Sequence, residues 1–214
     1  MVNNSHSLLW QNLEEKFLKE VIELENNLLS EIKELNKKNK LNLDISLIRK
    51  AMKVAKKYHA HQRRRSGQPY YIHPLEVARL ALKTSKTTKM VIAALLHDVL
   101  EDTNCKASEI KFYFGEDVQS VIDAVTNLDL KNDKKLTSDS NYYKLNLAKD
   151  SDAIKVKICD RVHNMNTIEY MKPAKQLEKA RETLKIYIPL AEKYNLTELA
   201  EKLKLASLKV LNNV

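Results

Sequence analysis

From Trp10 onward apolar residues recur at spacings of three and four, at Leu13, Phe17, Val21, Leu24, Leu28, Ile32 and Leu35. This is the stripe of an amphipathic helix that buries one face. A polar run over 36–40 breaks the stripe, and Asp44 stands where an N-cap would precede a helix predicted to run to about His61. Pro74 suits the first turn of the next helix, through Leu82, because its missing N–H would be unpaired there anyway. That puts His73 at a helix entrance. Residues 90–100 are apolar nearly all round, which predicts a buried central helix carrying His97 and Asp98 near its C-terminal end. Further helices are predicted over 106–114 and 116–128, divided at Gly115, then a polar loop over 129–141. A helix over 152–170, a stretch before Pro189 and a terminal helix over 197–211 complete the set.

Composition strengthens this pattern. Only two glycines and four prolines interrupt stretches rich in Leu, Lys, Glu and Ala, so the expected fold class is all-α. A chain of 214 residues is long enough for one domain with a real core and has little room for a second. No internal repeat is evident. No apolar run approaches the roughly 18–20 residues that span a bilayer, and the first residues lack a basic flank followed by an apolar signal core. A soluble, cytoplasmic protein with no membrane partner is expected. Cys105 and Cys159 fit no CxxC pattern and are expected to be reduced and structural.

Charge narrows the choice of partner. The net charge is +9, and between Ile45 and Leu75 there is no acidic residue against eight basic ones, three of them Arg63, Arg64 and Arg65. Such a block calls for an anionic partner. No helix-turn-helix, zinc-finger or RNP-type aromatic motif accompanies it, which favours a compact polyphosphate over a nucleic acid.

The chemistry concentrates in His97-Asp98-Val99-Leu100-Glu101-Asp102-Thr103, where a His-Asp pair closes an apolar helix and two carboxylates follow. A lone His-Asp pair is weak evidence, since a buried His often just bonds a backbone carbonyl. Two further candidate ligands, His73 and Asp160, turn it into a plausible mononuclear site. Two imidazoles and two carboxylates suit a borderline divalent ion such as Mn²⁺, Fe²⁺, Zn²⁺ or Ni²⁺. Such an ion acidifies water and polarises a phosphoryl oxygen, while Glu101 or Asp102 orients the water or shuttles its proton. Phosphoester hydrolysis is the reaction class that follows.

Three segments then resemble a known family. HAHQRRRSGQPYYIHP, from His59 to Pro74, resembles the HxGQxRxSGxPYxxHP signature of RelA/SpoT-type alarmone hydrolases. VIAALLHDVLEDT, from Val91 to Thr103, is nearly that family's central motif, and KICDRVHNMNT, from Lys157 to Thr167, is similar to its KLADRLHNMRT element. Phe114-Gly115 with Val125-Thr126, and the segment 182–191, resemble later family segments, so the likeness covers roughly 45–210. The resemblance implies an HD-type helical bundle; with the amphipathic helix, placed over 1–40, the expected single domain comprises that helix, a metal- and nucleotide-binding core over 44–170, and C-terminal helices over 173–214.

It further implies that His73, His97, Asp98 and Asp160 hold one divalent ion, Mn²⁺ in the family, and that Glu101 and Asp102 activate water. Arg64 is implied against a guanine base with Arg65 and Ser66 beside it, and Tyr70, Asn164 and Thr167 at the sugar or phosphates. The activity implied is removal of the 3′-pyrophosphate of (p)ppGpp, giving GDP or GTP. With no room for a synthetase domain, hydrolysis without synthesis is expected.

Three departures stand out: His61 for a usual glycine, Asn127 for a usual lysine, and Asn166 for a usual arginine. The last two remove positive charge near the expected polyphosphate. Two rivals follow: a hydrolase of other 3′-phosphorylated nucleotides or adenine alarmones, and an alarmone-binding regulatory module. The stripe over 10–35 serves equally for internal packing or for pairing two chains.

Overall fold

The structure is a computed structural model that describes residues 3–128 and 150–213. Among the described residues every regular element is helical, as the composition requires. The loop expected over 129–141 lies outside the described residues.

Helix α1 spans Asn3–Asn39, about 55 Å of helix at 1.5 Å per residue. It runs through the polar residues that break the stripe and stops where Lys40 takes a left-handed conformation, φ 51°. Polarity alone does not break a helix whose other face is buried: Phe17, Val21, Leu28, Leu29 and Ile32 all enter the core. The stripe therefore packs inward, against α2 (Ile45–Tyr58) and α3 (Ile72–Ser85). Asn36 then clasps the connection, donating to and accepting from the backbone of Leu43 at 2.9 Å each. Asp44 is the N-cap of α2, its carboxylate accepting from Leu47 N–H at 2.9 Å.

At the centre lies α4 (Thr88–Leu96), whose residues Met90–Leu96 are fully buried between α2, α3 and α7. The sequence predicts one helix over 90–100, but the chain turns at His97 and Asp98 and restarts as α5 (Val99–Asp102). The His97 ring Nδ1 lies 2.8 Å from the Ala94 carbonyl, a side-chain donor on a carbonyl that the helix would otherwise use. α6 (Ala107–Phe114) and α7 (Glu116–Leu128) meet at Gly115, whose φ of 86° is the left-handed conformation glycine tolerates.

Helix α8 (Ser151–Asn166) is capped by Asp150, which accepts from the N–H groups of Asp152 and Ala153. It lies against α3 and α7. It ends four residues short of the expected boundary, and a 3₁₀ turn follows over Ile168–Tyr170. α9 (Pro173–Glu182) passes through a π-helical turn, Thr183–Tyr187, into α10 (Ile188–Lys193), and α11 (Thr197–Asn212) packs back across α8, α9 and α10. No helix among the described residues is long and apolar enough to cross a membrane. Both cysteines are buried and free.

Candidate active site

Three segments far apart in sequence converge on one point. His73 comes from the first turn of α3, His97 and Asp98 from the turn between α4 and α5, and Asp160 from the middle of α8. His73 Nε2 lies 3.1 Å from Asp160 Oδ1 and 3.4 Å from Asp98 Oδ2. His97 Nε2 lies 3.2 Å from Asp98 Oδ2 and 3.8 Å from Asp160 Oδ1. The donor atoms of His73, His97 and Asp98 fall within 4.8 Å of one another, and all three residues are buried.

The donors fit a divalent cation. His97 gives its Nδ1–H to the Ala94 carbonyl, which turns Nε2 toward the carboxylates, where it is buried without a well-formed hydrogen bond. A ring nitrogen facing carboxylate oxygens is an arrangement that a positive charge satisfies, whether a proton on the ring or a bound cation. Burial depresses the His97 pKa, but Asp98 and Asp160 outweigh it and push it up to about 10. Burial likewise raises Asp98 and Asp160, yet the facing imidazoles hold both well below the usual carboxylate range. The pair of carboxylates thus demands a positive charge between them.

Around this cluster opens a cavity of about 400 Å³. Its near wall is the loop after α2. That helix stops at Tyr58, earlier than expected, because residues 59–62 form tight turns. Arg63 pairs with Pro69 across the loop, and Gly67, at φ 86°, closes the turn by donating to the Arg64 carbonyl at 2.9 Å. Residues therefore alternate: Arg63 and Arg65 are exposed, whereas Arg64 and Ser66 are half-buried.

Arg64 reaches across the cavity to α8, donating to Asn164 Oδ1 and Thr167 Oγ1 at 3.2 Å each. Asn164 in turn donates to Asp160 Oδ1 at 2.6 Å, linking the loop to the His/Asp cluster. Tyr70 donates to Asp98 Oδ2 at 2.6 Å and to Asp102 Oδ2 at 3.2 Å. Burial and the Asp98 charge push that hydroxyl far above its ordinary pKa, so it stays a donor.

Every expected substrate residue, Arg64, Arg65, Ser66, Tyr70, Asn164 and Thr167, lines this cavity, as does Asp102. Glu101 is half-buried on α5 and is not among the lining residues. His61 is exposed, the side chain of Asn127 lies outside the described residues, and Asn166 is the exposed last residue of α8.

The structure also brings in groups that the sequence did not single out. Lys157, Arg161, Lys179 and Tyr187 form the far wall. Arg161 is buried, 2.9 Å from Glu182 and 3.9 Å above the Tyr187 ring, and the π-helical turn supplies Tyr187. Gln62 donates to the Asp102 carbonyl at 2.7 Å and meets the ring of His59, which stacks on Tyr70 with centroids 4.7 Å apart. His163 meets His73, Nδ1 to Nδ1, at 2.8 Å. Burial, then His73 and Arg64, lower the His163 pKa to about 3. The motif context of Lys157, Arg161 and His163 was legible, but their partners come from other helices.

Known proteins resemble this chain. Residues 51–196 match the family model described as HD domain. A probable guanosine-3′,5′-bis(diphosphate) 3′-pyrophosphohydrolase of Synechocystis is 39% identical over 169 residues, 77% of this chain and 22% of that protein. The guanosine-3′,5′-bis(diphosphate) 3′-pyrophosphohydrolase of Borreliella burgdorferi is 37% identical over 166 residues, 76% of this chain and 25% of that one. A probable GTP pyrophosphokinase of Mycobacterium leprae is 35% identical over 171 residues, covering 79% and 22%. The chain thus spans about a quarter or less of the curated relatives it matches. A solved structure described as a metazoan ortholog of SpoT that hydrolyzes ppGpp superposes with a TM-score of 0.53 at 22% identity, over 81% of this chain and 98% of that one. At that identity the likeness concerns the fold. The chain belongs to the HD-domain family, and its relatives there are RelA/SpoT-type proteins named for ppGpp pyrophosphohydrolase or GTP pyrophosphokinase activity.

Proposed function

We propose that this chain hydrolyses the 3′-pyrophosphate of guanosine alarmones, (p)ppGpp, with one divalent ion, Mn²⁺, held by His73, His97, Asp98 and Asp160. One observation carries the reading: a single cavity joins the His/His/Asp/Asp cluster to a basic loop through Arg64, Asn164 and Asp160. Cluster and loop suit the two ends of one substrate, a phosphorus atom to be attacked and a nucleotide to be held.

When bound by His73, His97, Asp98 and Asp160, a divalent cation would supply an acidified water and polarise a phosphoryl oxygen. The remaining work falls to the chain. Asp102, tied to Asp98 through the Tyr70 hydroxyl, orients the attacking water and takes its proton. Glu101, one residue earlier on the same short helix, passes the proton onward. Water adds to the 3′-linked phosphorus, the bond to the 3′ oxygen breaks, pyrophosphate leaves, and the 3′ oxygen of GDP or GTP takes up a proton.

Arg64 presents its planar guanidinium to the guanine base, with Arg65 and Ser66 beside it. Asn164 and Thr167 hold the sugar and the 3′ phosphates. Lys157, Arg161 and Lys179 on the far wall give the 5′ phosphates a cationic surface, partly balanced by Glu182.

Product analysis across a nucleotide panel tests the reading. With Mn²⁺, ppGpp and pppGpp are expected to yield pyrophosphate with GDP and GTP, at rates well above those for the adenine counterparts and for simple 3′-nucleotides. Preferential turnover of an adenine or 3′-monophosphate substrate would make the guanosine assignment wrong. Binding of ppGpp without turnover would make the chain a regulatory module instead.

A further inference from the structure

We infer that His163 is a positioning residue for the metal site: its ring Nδ1 accepts the Nδ1–H of His73 and thereby fixes His73 with an unprotonated Nε2 turned to the ion. The inference rests on the metal-site reading above and not on the identity of the substrate.

The geometry leaves two arrangements. The two Nδ1 atoms are 2.8 Å apart, the ring centroids 4.8 Å apart at 53°, and both rings are buried. At that separation two lone pairs would repel, so one nitrogen carries the hydrogen. If His163 carried it, a neutral His73 would keep its own proton on Nε2, aimed at Asp160 Oδ1 and Asp98 Oδ2 at 3.1 and 3.4 Å. That proton would occupy the place where the ion binds. If His73 carries it on Nδ1, Nε2 is free to act as a ligand, and His163 must be the acceptor.

The two ligand histidines are thus oriented by different means. His97 is fixed by a backbone carbonyl, that of Ala94, which no substitution removes. His73 is fixed by a side chain, which can be changed. His163 stands three residues after Asp160 on α8, so one helix supplies both a ligand and the group that orients a ligand from α3. As a neutral acceptor it orients His73 without adding a third negative charge beside Asp98 and Asp160.

The test needs no nucleotide. Mn²⁺ alone is titrated into the full chain, free ion being counted by electron paramagnetic resonance, for wild type, His163→Leu and His163→Gln. The leucine variant is expected to bind Mn²⁺ about 10–100-fold more weakly, and the glutamine variant, whose amide oxygen can accept the same hydrogen, to recover most of that loss. A ¹⁵N–¹H spectrum of the Zn²⁺-loaded wild type is expected to show His163 protonated on Nε2 alone. Unchanged Mn²⁺ affinity in the leucine variant, equal loss in both variants, or a proton on His163 Nδ1 would each overturn the inference. The wild-type spectrum decides the matter even if a variant fails to fold. Loss of the alarmone assignment in the nucleotide panel would leave these outcomes untouched.

Discussion

Tyr70 places one hydroxyl between two carboxylates that would otherwise repel, donating to Asp98 at 2.6 Å and Asp102 at 3.2 Å. The contact divides labour between them: Asp98 faces the imidazoles, while Asp102 faces the cavity. Asp102→Asn should therefore lower kcat by about 10²–10⁴-fold while Mn²⁺ affinity stays near wild type, measured by steady-state kinetics and metal titration. Arg64→Ala removes a guanidinium held by Asn164 and Thr167 and should raise KM for the nucleotide about tenfold, with a smaller effect on kcat. At this scale the sequence was informative wherever a motif carried the residue. Asp102 and Glu101 were indistinguishable from spacing alone, and only the turn at His97 and Asp98 sends Asp102 into the cavity. No glycine or proline announces that turn, because it arises from a side-chain bond to Ala94.

Among the elements, α1 and the π-helical turn do the most to hold the walls of the site. α1 is fastened at both faces of its contact: apolar residues enter the core, while Glu14 grips Arg63 at 2.8 Å and Glu20 accepts from Gln68 at 2.9 Å. Leu28, fully buried in the C-terminal half of α1, should cost about 2–5 kcal/mol when replaced by alanine, seen as a lowered midpoint in urea unfolding. The heptad-like stripe over 10–35 made the helix legible, and the buried face, not the polar run, sets its end.

The π-helical turn sets Tyr187 against Arg161, with Glu182 at its entrance. Burial alone would raise the Glu182 pKa, but Arg161 and then Lys179 outweigh it and hold the carboxyl at about 2. A carboxyl depressed on folding stabilises the protein above its unfolded pKa, and the benefit disappears as pH falls through the folded value. Glu182 should thus contribute fully at neutral pH and progressively less from about pH 4.5 to about pH 2. Glu182→Gln should destabilise the protein by about 3–5 kcal/mol at pH 7, with a shrinking difference from wild type in melts taken toward pH 3.

Across the whole molecule, local pattern anticipated the helices and motif order anticipated the candidate cluster, because His73 and Asp160 sit on helices and His97 and Asp98 on the turn that ends one. What escaped is what depends on helices meeting: His163 against His73, Arg161 against Glu182, and the far wall built by α8, α9 and the π-helical turn. Whether this converged cluster cleaves ppGpp is read from one comparison. Purified wild type and Asp98→Ala are incubated with ppGpp and Mn²⁺, with and without chelator, and GDP and pyrophosphate are resolved. The proposed cleavage yields equimolar GDP and pyrophosphate from wild type alone, abolished by chelator. Equal background from wild type and Asp98→Ala, or turnover indifferent to chelator, would contradict it.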